Sequence, residues 1–198
     1  MNWSNVSVIA PPTAYPVTLA EAKSVLAVLH DDDDALIAGL IAAATDFIDG
    51  PNGVGVAMMA QTWRYALDNF PDRGDWEEIK LPGHGVTAVS SVTYVNTAGI
   101  ETILDAAEYR LEANMEPARV YPVTSWPGAD CRPGAVWVDY VLGAASPADV
   151  AEPLRVAVLH IVAHWFEHRN SVADVRMENV PMGAHAILEK YKRGMVAA

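Results

Sequence analysis

The chain has 198 residues, of which 52% are hydrophobic and 19% charged. That is enough apolar material for one packed domain, or a domain with a small lobe, and it excludes wholesale disorder. Twenty-five acidic against 13 basic side chains give a formal net charge of -12 at pH 7, which argues against a protein that grips nucleic acid through phosphate contacts.

The single cysteine, Cys131, excludes an intrachain disulfide and suits a reducing compartment. The opening run Met1 to Val6 has neither the basic nor the apolar region of a signal peptide. The longest apolar stretch, Ala35 to Thr45, falls far short of the roughly 20 residues that cross a bilayer. The expectation is a soluble intracellular chain, or one assembled inside a cell.

In chain order, Ala10 to Pro16 holds three prolines and reads as an extended arm, since each proline biases its predecessor away from the helical region. Thr18 and Glu21 form a capping-box pattern. They open a helix with Leu19, Ala22, Val25, Leu26 and Leu29 on one face, ending near His30. A second helix follows Asp31 to Asp34 and runs to about Asp49. Its expected inner stripe is Leu36, Leu40, Ala43, Ala44 and Phe47, widened by Ile37, Ile41 and Ile48. Gly50-Pro51-Asn52-Gly53 breaks it, and the two helices read as an antiparallel hairpin.

From Gln61 to Leu142 the period changes to two. Short strands are expected at 62–67, 78–81, 89–95, 102–104, 109–111, 119–121 and 135–141, each bounded by turn-forming residues. Asn96-Thr97-Ala98-Gly99 should turn one hairpin. The longest helix is expected from Ala148 to about Asn170, capped by Ser146 with Pro147 in its first turn. A looser stretch leads to a short terminal helix, Ala184 to Arg193. The fold class expected is α+β: a helical bundle, made of the hairpin and the long C-terminal helix, carrying an inserted antiparallel β-rich lobe. The divisions are 1–60 for arm and hairpin, 61–145 for the lobe, and 146–198 for the long helix and tail.

Few residues carry chemistry. His160, His164 and His168 recur at i, i+4 and i+8, a ridge on which neighbouring imidazoles can share a metal. The ridge lies beside the apolar face of Leu154, Val158, Ile161, Val162 and Trp165, and lacks the glutamate of the zinc-protease helix. It reads as a helix flank or interface, with a metal-dependent enzyme as the alternative. Asp31 to Asp34 lacks the alternation, glycine and distant glutamate of a calcium loop and reads as N-capping and dipole complement. No nucleophile elbow, phosphate loop or dinucleotide fingerprint occurs. Trp63, Trp76, Trp126, Trp137, Tyr94, Tyr121 and Tyr140 cluster in the strand zone and read as core, a carbohydrate-binding face being the alternative. At the C-terminus charge reverses: Lys190, Lys192 and Arg193 lie beside Ile187, Leu188 and Tyr191, an amphipathic segment suited to a groove on a partner.

Thr18 to Lys23, Asp32 to Ile37, Ala42 to Thr45, Gln61 to Arg64, Pro133 to Val136, and Glu152-Pro153-Leu154-Arg155 through Ala163 to Arg169 follow one another in a telling order. From about Thr18 to Tyr191 the chain resembles the tailed-phage head–tail connector (adaptor) family, including the adaptor of phage-like gene transfer agents. The resemblance implies a structural protein without catalysis or cofactor. It implies a homo-oligomeric ring, typically twelve-fold, between the portal and a tail-side stopper or head-completion protein, at the head–tail junction of a particle assembled in the bacterial cytoplasm. DNA would pass its channel without sequence-specific binding, and no membrane is involved. On that model the C-terminal segment docks on the portal, through Ile187, Leu188, Tyr191, Lys192 and Arg193.

Overall fold

The computed structural model describes residues 5–71, 77–130, 132–168 and 181–191. Among them are eight strands and four α-helices, divided between two compact units. The β unit takes residues 5–11 and 60–143, and the helical unit takes 12–59 and 144–191.

The β unit holds two antiparallel sheets. The larger is five-stranded, in the order β1 (Val6–Ala10), β2 (Gln61–Leu67), β8 (Val136–Leu142), β4 (Val86–Val95), β5 (Glu101–Ile103). The smaller runs β3 (Ile79–Lys80), β7 (Arg119–Pro122), β6 (Tyr109–Glu112). Burial follows the alternation that half-buried strands require: Trp63, Val92, Val136, Val138, Tyr140 and Leu142 are fully inside. Trp63 meets Tyr140 edge-on at 6.4 Å between ring centres. Asn96 turns the β4–β5 hairpin as its residue type predicts, its side-chain oxygen accepting from the Ala98 and Ile100 amides at 2.9 and 3.0 Å.

The helical unit contains α1 (Leu19–Leu26), α2 (Asp34–Ile48), α3 (Glu152–Glu167) and α4 (Met182–Tyr191). Thr18 caps α1 and Glu21 completes the reciprocal box. The helix stops four residues before His30, because Ala27 turns left-handed (φ 55°) and closes the C-terminus. At the end of α2 the Asp49 carboxylate accepts from the Met58 amide at 2.9 Å. A side chain at Gly53 would collide with the Ile48 carbonyl, so the turn after α2 requires glycine. Pro147–Asp149 is a separate 3-10 turn rather than the start of α3, whose own N-terminus holds Pro153. The core joins Ile37, Ile41 and Ile48 of α2 to Leu154, Val158 and Ile161 of α3, with Ala184 and Leu188 of α4.

Two expectations are corrected here. The fold is α+β, but it is not a helical bundle carrying an inserted lobe. Val6–Ala10, which lies in the 1–60 division assigned to arm and hairpin with no strand expected, is strand β1 of the five-stranded sheet. Each unit is therefore built from two separate stretches of chain. The second correction concerns α2. Ile37, Ile41, Ala44 and Ile48 face the core, whereas Leu36 and Phe47, assigned to the inner stripe, are exposed.

Candidate functional site

The C-terminal helix is the first place to look. Leu188 is buried in the core of its own unit, and Ile187 and Tyr191 are half-buried against that core. Lys192 and Arg193 lie outside the described residues. Packing of α4 on α3 thus consumes the apolar side of the segment, leaving Glu189 and Lys190 exposed.

The histidine ridge is assembled as the spacing requires, but as a flank. The His164 and His168 rings lie 4.4 Å apart, tilted, and the His168 Nδ1 sits 2.8 Å from the His164 carbonyl oxygen. His160 is one turn back and exposed. Among the described residues no group of three His, Cys, Asp or Glu side chains is placed to hold a metal ion.

The aspartate run is held by a residue that sequence reasoning missed. The Lys23 ammonium donates to Asp31 at 2.7 Å and to Asp34 at 2.6 Å, tying α1 to the start of α2. Hydrogen bonding to Asp31, then Asp34, raises the Lys23 pKa, and the same bond holds the Asp31 carboxyl below its ordinary value. Asp33 occupies the cap position without a side-chain capping bond. The lysine lies eight residues from Asp31, beyond the i+4 spacing at which a helix pattern signals a pair.

Of the strand-zone aromatics, Trp63 and Tyr140 are core, and Trp126, Tyr94 and Trp137 are half-buried. Trp126 stacks on Phe70 at 4.8 Å and 9° and donates its Nε1–H to the Glu77 carbonyl at 2.7 Å. Tyr94 meets Phe70 edge-on, and burial pushes the Tyr140 hydroxyl pKa far up. Trp137 lies under the Arg64 guanidinium, 5.4 Å from its ring centre, and Tyr121 is exposed. Trp76 lies outside the described residues. Trp63, Tyr140 and Tyr94 share the inward face of the five-stranded sheet, where Trp63 and Tyr140 are fully buried.

Further polar junctions join distant stretches of chain within each unit. Arg155 of α3 donates to the Pro16 carbonyl at 3.1 Å, to Glu152 at 2.8 Å and to Glu21 of α1. In the smaller sheet Arg119 holds both oxygens of Glu78, at 2.7 and 2.9 Å. Both sets are braces, because each guanidinium is matched by carboxylates on a distant stretch of the same unit.

The described residues also leave apolar side chains uncovered. On α2, Leu36, Leu40, Ala43 and Phe47 fall on one line about 100° round the helix from the core-facing isoleucines. Leu36 is 40% and Phe47 44% exposed. Between Asp34 and Asp46 the helix has no charged side chain. An ordinary surface helix sets charge on its outer face, as α3 does with Glu152 and Glu167, both exposed. Among the described residues no helix is long and apolar enough to cross a membrane.

The geometry thus defines a scaffold with braces and an uncovered apolar helix face. No protein-family model matches the chain, and no curated protein matches it. Its fold is similar to that of chains in three solved structures, each 24% identical, with 98% of this chain and 97% of the other aligned. They are described as the neck of an empty GTA particle computed with C6 symmetry (TM-score 0.73), the virion of a native gene transfer agent particle (0.68), and the neck of a native GTA particle computed with C12 symmetry (0.64). The likeness covers both units and nearly every residue.

Proposed function

We propose that this protein is a non-enzymatic structural component of the neck of a gene transfer agent or tailed-phage particle. In this reading it is a head–tail adaptor forming a homo-oligomeric ring between the portal and a tail-side stopper, with a channel through which DNA passes. The observation that carries it is the end-to-end match, at a TM-score of 0.73, to a chain of a GTA neck. Three further features support it. The charged clusters described are paired as braces within each unit. A net charge of -12 lets a polyanion slide past without sticking. The apolar outer face of α2 calls for a neighbour. Portal docking falls to the C-terminal segment, with Lys192 and Arg193 beside the half-buried Ile187 and Tyr191.

The test is co-expression with the portal protein of the same genome, followed by negative-stain electron microscopy. A ring stacked coaxially on the portal is the expected result and gives the copy number. A folded chain that stays apart from an assembled portal removes the adaptor reading.

A further inference from the structure

We propose that His164 and His168, at the C-terminal end of α3, form a two-imidazole site for a divalent transition metal of the Cu2+, Ni2+ and Zn2+ class. The bound ion clamps the last turn of the helix, a structural role that the single chain fills without the ring.

Ring geometry is the first support. The two residues stand at i and i+4, on one ridge of the helix. His164 is half-buried and His168 exposed, so an ion reaches them from solvent. Their ring centres lie 4.4 Å apart. Two imidazoles on one cation, with bonds of about 2.0–2.1 Å and an angle between about 90° and 110°, hold their ring centres about 4.5–5.2 Å apart. The rings thus already stand close to the spacing that a shared ion requires.

The hydrogen bond made by His168 is the second. Its Nδ1 lies 2.8 Å from the His164 carbonyl oxygen. A carbonyl only accepts, so Nδ1 carries the hydrogen, and the neutral ring keeps its lone pair on Nε2. Metal-binding histidines are oriented in this way, by a bond from the other ring nitrogen to a backbone carbonyl or a carboxylate. The helix end adds to it, because its last carbonyls carry partial negative charge and favour a cation over the final turn.

His160, the third member of the ridge, is turned toward α4: a Cβ on Gly183 would meet its Nδ1 at 3.5 Å and its Cε1 at 3.7 Å. Among the described residues no third His, Cys, Asp or Glu is placed to join the pair, so water completes the coordination. Two neutral nitrogens with water suit borderline first-row cations, Cu2+ above Zn2+. Mg2+ and Ca2+ prefer oxygen donors and are the ions this pair discriminates against.

The test titrates the untagged full chain, stripped with a chelator, with CuCl2, ZnCl2 and MgCl2 in separate calorimetric runs. His160→Gln, His164→Gln and His168→Gln are titrated alongside. Wild type is expected to take one equivalent of Cu2+, more tightly than Zn2+, with no response to Mg2+. Affinity should fall about tenfold or more in His164→Gln and in His168→Gln, and stay unchanged in His160→Gln. Electron paramagnetic resonance of the Cu2+ form should report two nitrogen donors. Zn2+ should raise the Tm of wild type and leave that of His168→Gln where it was. If His164→Gln fails to fold, the exposed His168 carries the measurement. Loss of binding in His160→Gln but not in His168→Gln moves the metal one turn back and overturns the pair. Undiminished binding by His164→Gln and His168→Gln, or no binding by wild type, overturns the site altogether and leaves the neck reading untouched.

Discussion

Arg64 and Asp139 stand directly opposite one another on β2 and β8, and the guanidinium grips both carboxylate oxygens, Nε at 2.7 Å and Nη2 at 2.8 Å. The two strands are neighbours inside the five-stranded sheet, and 75 residues separate the partners. The pair therefore staples a contact that no local signal encodes. Asp139 is buried, whereas the Arg64 side chain is 40% exposed, so solvent screens part of the interaction. Asp139→Ala removes two charge-assisted bonds and should destabilise the chain by about 1–2 kcal/mol, below the full strength of buried pairs. For a chain of this size that lowers Tm by roughly 3–6 °C, readable by thermal denaturation followed by circular dichroism. An unchanged Tm would mean that the sheet holds its register without the staple.

The start of α1 has a pH signature. The Glu21 carboxylate accepts from the Thr18 amide at 2.7 Å and the Thr18 hydroxyl at 2.9 Å, and Arg155 reaches it from α3. These bonds, the backbone one foremost, hold its pKa below the ordinary 4.5. A depressed carboxyl stabilises the fold above its unfolded value, and that contribution disappears as pH falls through the folded one. Glu21→Gln should therefore melt earlier than wild type at neutral pH, and the difference should close as the pH drops well below 4.5. Thr18→Ala removes the cap itself, at about 1 kcal/mol or roughly 2–4 °C in Tm. A gap between wild type and Glu21→Gln that persists in acid would show that the carboxylate's charge is not what matters there.

Two glycines in one turn separate backbone strain from packing. Gly83 has φ +95°, and a Cβ there would lie 2.6 Å from Leu142 Cδ1 and 2.9 Å from Trp63 Cζ3. Both neighbours are fully buried and have nowhere to go. Gly83→Ala thus combines an unfavourable left-handed conformation with overpacking, about 2–4 kcal/mol together. Gly85, at φ +67°, has nothing within 4 Å, so Gly85→Ala carries only the backbone part, about 1 kcal/mol. Equal losses in urea titrations of the two variants would refute the packing argument.

Features whose cause is local were legible in the sequence. The Thr18–Glu21 box, the Asn96–Gly99 turn and the break after Ile48 each arise within a few residues, and the structure contains all three. Strand β1 was not legible. Val6-Ser7-Val8-Ile9-Ala10 is exposed along most of its length and lacks alternation, and it is a strand only because β2, more than 50 residues on, pairs with it. The faces of α2 were ambiguous for a different reason. Leu36, Leu40 and Phe47 are as apolar as Ile37, Ile41 and Ile48, so periodicity revealed two stripes and could not rank them. The packing of α3 against one of them decides. Lys23 and Arg155 look like ordinary surface cations until their distant carboxylates are placed beside them.

The burial of Leu188 changes how portal docking should be tested. Deleting 183–198 removes Ala184 and Leu188 from the core that includes Leu154, Val158 and Ile161, so lost binding by that truncation would report lost packing. Leu188→Ala alone should destabilise the chain by about 2–3 kcal/mol through the cavity it leaves, a fall in Tm of roughly 5–10 °C. The docking proposal is better tested by the double variant Lys192→Glu with Arg193→Glu. Reversing two cations takes nothing from the described core, so Tm should match wild type, and binding to portal should weaken by about tenfold or more and with reduced salt dependence. If the double variant binds portal as wild type does, the basic end of the chain is not the docking element, and the exposed side of α4 around Glu189 and Lys190 becomes the surface to probe.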